Sequence, residues 1–129
     1  MFRETYICSE FLKLIFNYVN AYLQLMDNLQ KISIILSNLK NPIKLHIIDY
    51  LSDKDASNQE VFEFLSKAQN VKYRSGVYNS LKDLQNAGII EKYYDTNKNK
   101  IMYKLIIRTI ILDLEKMNIS LLKKTNEIK

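Results

Sequence analysis

The chain has 129 residues, 47% of them hydrophobic, and a formal net charge of +5 at pH 7, which is enough apolar material for one core and one domain without staples. A single Cys8 and a single His46 exclude an internal disulfide and a metal-ligand cluster, so a secreted disulfide scaffold and a zinc finger are set aside and a reducing, intracellular setting is expected. The same scarcity excludes a Ser/His/Asp set, a Cys/His pair and a glycine-rich phosphate loop, so neither an enzyme nor a cofactor is expected, and Asp53, Asp55, Glu60 and Glu63 read as solvated helix ends.

From residue 7 to residue 32 three stripes repeat in steps of three and four, the period of a supercoiled helix. Ile7, Phe11, Leu14, Tyr18, Ala21, Leu25, Asn28 and Ile32 form one seam, and Cys8, Leu12, Ile15, Val19, Tyr22, Met26 and Leu29 form a second. Glu10, Lys13, Asn17, Asn20, Gln24, Asp27 and Lys31 make the third stripe polar. These polar interruptions and the lack of a small-residue cleavage site predict neither a signal peptide nor a membrane span.

Two apolar seams are more than one neighbour can cover, so one is expected to pack on its own domain and the other on a second copy in a homodimer; periodicity does not choose between the seams, and Ile7, Phe11, Leu14, Tyr18 and Leu25 are the candidate interface. The competing reading packs both seams inside the monomer, against a C-terminal helix bearing Ile107, Ile110, Ile111, Leu114, Met117, Leu121 and Leu122. Cys8 lies in the second seam, where a small buried apolar residue is the expected role. A seam lined by Tyr18, Tyr22 and Met26 could also seat a small effector.

Asn41 and Pro42 form an N-cap and first helical position, and Ile43, Ile47, Ile48 and Leu51 give the helix that follows its apolar face. Ser57 and Glu60 have capping-box spacing ahead of Val61, Phe62, Phe64, Leu65 and Ala68, the apolar side of a second, positioning helix. A third helix over 73–87 places Val77, Leu81 and Leu84 on one face and ends at Gly88 as a left-handed cap. Its opposite face carries Ser75, Asn79, Lys82 and Asn86, flanked by Tyr78 on one side and by Lys72 and Gly76 on the other. Ile90–Tyr94 and Ile101–Ile106 are rich in β-branched and aromatic residues and read as two strands joined by the turn Asp95-Thr96-Asn97-Lys98-Asn99-Lys100. Residues 107–129 read as a C-terminal helix with a basic tail from Lys123 and Lys124 to Lys129.

That order, capped helix, positioning helix, polar-faced helix and basic hairpin, spells a winged helix-turn-helix, mainly α with a small β-hairpin wing, between long N- and C-terminal helices that form a helical dimer interface. The domain expectation is one unit: a dimerisation helix over 1–37, the winged part over 38–106 and the terminal helix with its tail over 107–129. Residues 70–104 carry seven basic side chains against three acidic, four of the chain's five net positive charges, whereas residues 41–69 carry three basic against five acidic. Positive charge therefore gathers on the helix and hairpin that would meet phosphates, with the acidic segment turned away.

Asn79 suits bidentate pairing with adenine, Lys82 reaches guanine or phosphate, and Ser75 can donate or accept at several base edges; Lys72, Arg74 and Tyr78 flank them. Asn97, Lys98 and Lys100 at the hairpin tip suit the backbone or a narrow A·T minor groove. Each feature alone has a plainer reading, a solvated helix face and a hairpin kept soluble by charge; their adjacency favours the binding one.

The run Leu36 to Leu51, with Val77 to Ile90 and its closing phrase Leu84-Gln85-Asn86-Ala87-Gly88-Ile89-Ile90, resembles the ArsR and PadR branches of winged helix-turn-helix regulators. The resemblance covers residues 32 to 106 and implies a dimeric regulator of transcription that binds double-stranded DNA. It does not carry over the metal sensing of ArsR proteins, whose clustered cysteines or histidines are missing here. The layout, a winged domain between terminal helices, is also similar to small dimeric regulators of archaea and their viruses, and the Ile, Lys, Asn and Tyr bias suits an A·T-rich genome. A pair of such modules implies half-sites about 34 to 36 Å apart. The alternative from another class is a winged module that docks on an acidic protein partner within a transcription or replication complex, without base preference.

Overall fold

The computed structural model describes the backbone of residues 2–124 and the side chains of residues 9–124. The seam positions Ile7 and Cys8 and the tail over 125–129 lie outside the described side chains. Four helices come first, α1 (Phe2–Leu39), α2 (Pro42–Asp53), α3 (Asn58–Ala68) and α4 (Arg74–Asn86), followed by β1 (Ile90–Asp95), β2 (Lys100–Leu105), β3 (Ile107–Asp113) and β4 (Asn118–Lys123).

Local chemistry sets the helix ends. The Asn41 side chain accepts from the amides of Ile43 (2.9 Å) and Lys44 (3.3 Å), with Pro42 in the first turn where no N–H is needed. Ser57 Oγ accepts from the Glu60 amide at 3.3 Å and donates to Glu60 Oε1 at 3.2 Å, closing the predicted capping box. At the end of α4 Gly88 takes a left-handed φ of +79°, with Gly88 N–H donating to Gln85 O (3.0 Å) and Ile89 N–H to Leu84 O (3.1 Å). These two bonds make a full Schellman motif, which satisfies carbonyls that the helix end would otherwise leave open.

The core gathers Ile47 and Leu51 of α2, Val61 and Leu65 of α3, and Val77, Leu81 and Leu84 of α4, with Ile35 of α1 and Ala56, Ile89, Ile90 and Tyr103 closing it. All three of the predicted inward positions of α4 are fully buried. β1 and β2 pair antiparallel from Ile90↔Leu105 to Asp95↔Lys100. Ala56 adds a one-residue third strand, exchanging amide bonds with Tyr103 at 3.1 and 2.8 Å. The sheet is thereby sewn to the loop between α2 and α3. The three helices and this hairpin are a winged helix-turn-helix, mainly helical, with a long N-terminal helix, as the sequence predicts.

Two expectations are corrected. Residues 107–123 do not form a helix but a second antiparallel hairpin, β3 with β4, paired from Ile107↔Lys123 to Asp113↔Asn118. Spacings of three and four among its apolar residues imitate a helix. β-branched Ile107, Thr109, Ile110 and Ile111 nevertheless favour extended backbone. The Asp113 carboxylate accepts from the Lys116 amide at 3.0 Å and Met117 adopts a φ of +50°, which makes residues 114–117 a turn.

The second correction concerns α1. Neither seam packs on its own domain over residues 9–27, all of which are exposed. Only the last turns are held: Ile32, Ile35 and Asn38 are buried, and α1 contacts α2 and β4 there. Asn38 Nδ2 donates to the Ile34 carbonyl at 2.9 Å.

Candidate nucleic-acid interface

Burial of Val77, Leu81 and Leu84 fixes the rotation of α4, and with it the opposite face. Ser75, Asn79, Lys82 and Asn86 are all exposed on that face. Tyr78, on the flank, is 48% exposed; burial first, then the charge of the Tyr78 phenolate, raises the Tyr103 pKa. At Gly76 an added Cβ would meet nothing within 4 Å, so the start of the helix is open to close approach.

The N-terminus of α4 carries no side-chain cap: Tyr73 occupies the capping position with its ring 74% exposed. Open amides at a helix start, with Lys72 and Arg74 beside them, suit an anion such as a phosphate. The Arg74 guanidinium lies 5.5 Å from the centre of the Phe62 ring, which orients it along α3. In the connection between α3 and α4, Asn70 takes a φ of +56° and Ser66 Oγ donates to the Val71 carbonyl at 3.0 Å. Lys44 Nζ meets Asp83 at 3.0 Å and joins α2 to α4.

The wing tip is a tight turn in which Asp95 Oδ1 accepts from the amides of Asn97 (2.9 Å) and Lys98 (3.1 Å), and Asn99 sits at a φ of +55°. The Tyr94 hydroxyl donates to the Asn99 side chain across that turn. Asn97 and Lys98 project into solvent. Lys100 does not join them fully, because its Nζ is bound to Glu60 Oε1 at 2.8 Å. This bond from Lys100 is the main cause of a lowered Glu60 pKa, opposed in part by desolvation.

A second tie anchors the wing. The Tyr93 hydroxyl donates to Asp55 Oδ2 at 2.6 Å, and the negative acceptor pushes the Tyr93 pKa up to about 12, while Lys104 Nζ rides 5.5 Å over the Tyr93 ring. Residue order on a strand cannot reveal this tie, since Asp55 is distant in sequence. Tyr73 at the start of α4 and Tyr94 and Ile101 on the hairpin are exposed and are not among the sequence candidates; Tyr94↔Ile101 is a cross-strand pair on the face of the hairpin that Tyr103 and Leu105 share.

Structure thus brings Lys72, Arg74, Ser75, Tyr78, Asn79 and Lys82 onto one helix and its approach, places Asn97 and Lys98 on the adjoining hairpin tip, and diverts Lys100 to an internal ion pair. Among the described residues no group of three His, Cys, Asp or Glu could hold a metal, and no helix is long and apolar enough to cross a membrane.

No protein-family model matches the chain, and no curated protein matches it in sequence. Among solved structures it is similar to HlyU from Vibrio cholerae N16961, at 21% identity and a TM-score of 0.46, over 59% of this chain and 75% of that one.

Proposed function

We propose that the protein is a sequence-specific regulator of transcription that binds double-stranded DNA as a homodimer, acts inside the cell, and belongs with the ArsR- and PadR-like regulators it resembles. One observation carries this reading: α4 buries Val77, Leu81 and Leu84 and thereby aims a continuous exposed face of Ser75, Asn79, Lys82 and Asn86 outward, beside a hairpin whose two strands are each tied to the 55–60 segment. Rigid presentation of small, amide and basic groups on a helix is what a major groove admits, with Asn79 on adenine and Lys82 on guanine or phosphate. The open start of α4 with Lys72 and Arg74 takes a backbone phosphate, and Lys98 with Asn97 reaches the backbone or minor groove beside it. Lys100 serves mainly to hold the wing to α3 through Glu60.

The homodimer reading is supported by α1. Phe11, Leu14, Tyr18 and Leu25 are 61%, 66%, 75% and 42% exposed, which is more contiguous apolar surface than a lone domain leaves in water.

Selection from a random duplex library with purified protein at moderate salt tests the proposal. Enrichment of a defined motif, abolished by Asn79→Ala with Lys82→Ala, is the expected result. Failure to enrich any sequence, with weak binding that vanishes between about 50 and 200 mM salt, contradicts it and favours a docking module for an acidic partner.

A further inference from the structure

The exposed length of α1 has an order that one two-helix arrangement satisfies and the other does not. Deepening the homodimer reading above, on which this rests, we infer that α1 pairs antiparallel with α1 of a second copy, with the two-fold axis crossing between Val19 and Asn20. A parallel pair in register would set Tyr18 against Tyr18 and Ala21 against Ala21, one layer overfilled and the next empty. The antiparallel pair alternates them: Tyr18 faces Ala21 of the second copy, Leu14 faces Leu25, and Phe11 faces Asn28.

The flanks agree with that choice. In a parallel pair the polar positions Glu10, Asn17 and Gln24 would lie against the second copy's Ile15, Tyr22 and Leu29, burying amide and charge on apolar surface. On these flanks the antiparallel pair sets polar beside polar and apolar beside apolar: Glu10 comes beside Lys31, which already lies 3.9 Å from Asp27 on its own helix, Asn17 comes beside Gln24, and Ile15 comes beside Tyr22. Sliding by one heptad either way loses the Glu10–Lys31 match, so the register is fixed as well as the direction.

Area and charge favour a second copy over other occupants. Covering this stripe on both helices removes on the order of 1,200 Å² from water, at the lower bound of a specific interface. The polar stripe holds Glu10 and Asp27 against Lys13 and Lys31, a balance of zero. A helix that lies on an anionic lipid surface instead carries a cationic polar face. Leu12, Phe16 and Leu23 stay uncovered in one pair and are shared where two pairs stack, so the mass of the assembly reads one pair or two while the direction of pairing is read separately. The winged domains then sit at opposite ends of the stalk, with Ile35 and its counterpart about 45 Å apart along the axis, and the half-sites are held apart by the stalk instead of being read side by side.

The experiment uses the full chain with Cys8→Ser and a spin label on Gln30→Cys, at an exposed position of the stalk. Light scattering gives the mass and pulsed electron resonance gives the label separation. The expected result is a dimer, or a tetramer of two such dimers, with a main backbone separation of about 32 Å at residue 30. An assembly whose labels lie only about 10 Å apart, the spacing of neighbouring parallel helices, overturns the direction of pairing and leaves the homodimer intact. A monomer, with or without binding to phosphatidylserine vesicles, overturns both. As a second readout, Glu10→Lys should weaken self-association several-fold and Glu10→Lys with Lys31→Glu should restore it; failure of the double variant to recover overturns the register.

Discussion

Gly88 decides where α4 ends and where the wing begins. Its φ of +79° excludes an unstrained L side chain, while the space around it is open, so Gly88→Ala should lower stability by about 1 kcal/mol through backbone strain alone, measured by urea unfolding. At Glu60 the folded pKa is lowered by the bond from Lys100. Its contribution to stability is therefore present at neutral pH and lost as pH falls through the ordinary glutamate value and then the folded one. Glu60→Gln should be less stable than the parent at pH 7, and the gap between the two should close on acidification, as acid unfolding curves will show. The same tie separates two lysines that look equivalent in sequence: Lys98→Ala should reduce the salt dependence of DNA binding by about one counterion, and Lys100→Ala by less. At this scale the sequence was readable wherever the chemistry is local, as at Asn41, Ser57 and Gly88. Lys100 and Tyr93 were not, because Glu60 and Asp55 reach them only through the tertiary fold.

Helices and the first hairpin follow from patterns that have one solution each: a cap, an apolar face at helical spacing, then alternation between turn residues. β3 and β4 are hidden in the sequence because Ile107, Ile110, Ile111, Leu114, Met117 and Leu121 keep helical spacing while the irregularity between Ile107 and Thr109 breaks the strand alternation, and the deciding information is β-branching and the Asp113 turn. A substitution separates the two conformations directly. Met117 sits at a φ of +50°, so Met117→Gly should stabilise the hairpin by about 0.5–1 kcal/mol, whereas in a helix the same change would cost about 1 kcal/mol. Thermal unfolding of the two chains reads the sign. α1 was legible as a helix with two apolar seams, but its relation to the domain was not: periodicity identifies the face that avoids water and is silent on which molecule covers it.

Over the whole molecule, charge and shape are separated by element. The basic excess lies on α4 and the wing and the acidic excess on α2 and α3, and ion pairs cross between the two regions where Glu60 of α3 holds Lys100 of the wing and Lys44 of α2 holds Asp83 of α4. One surface is left basic, rigid and flanked by exposed tyrosines, and a stalk at the other end of the chain is left apolar. The proposal assigns recognition to the first and assembly to the second, so damage to one should leave the other intact: Leu14→Glu should abolish the dimer and weaken operator binding without altering which bases a single domain prefers. Base reading by α4, as proposed, sets which duplex the protein prefers. The decisive measurement is the ratio of affinities for an enriched duplex and its scrambled counterpart at one salt concentration, for the parent and for Asn79→Ala. This ratio should fall roughly ten- to hundred-fold in the variant, as loss of one bidentate base contact implies, while affinity for the scrambled duplex holds; an unchanged ratio would mean that Asn79 reads no base.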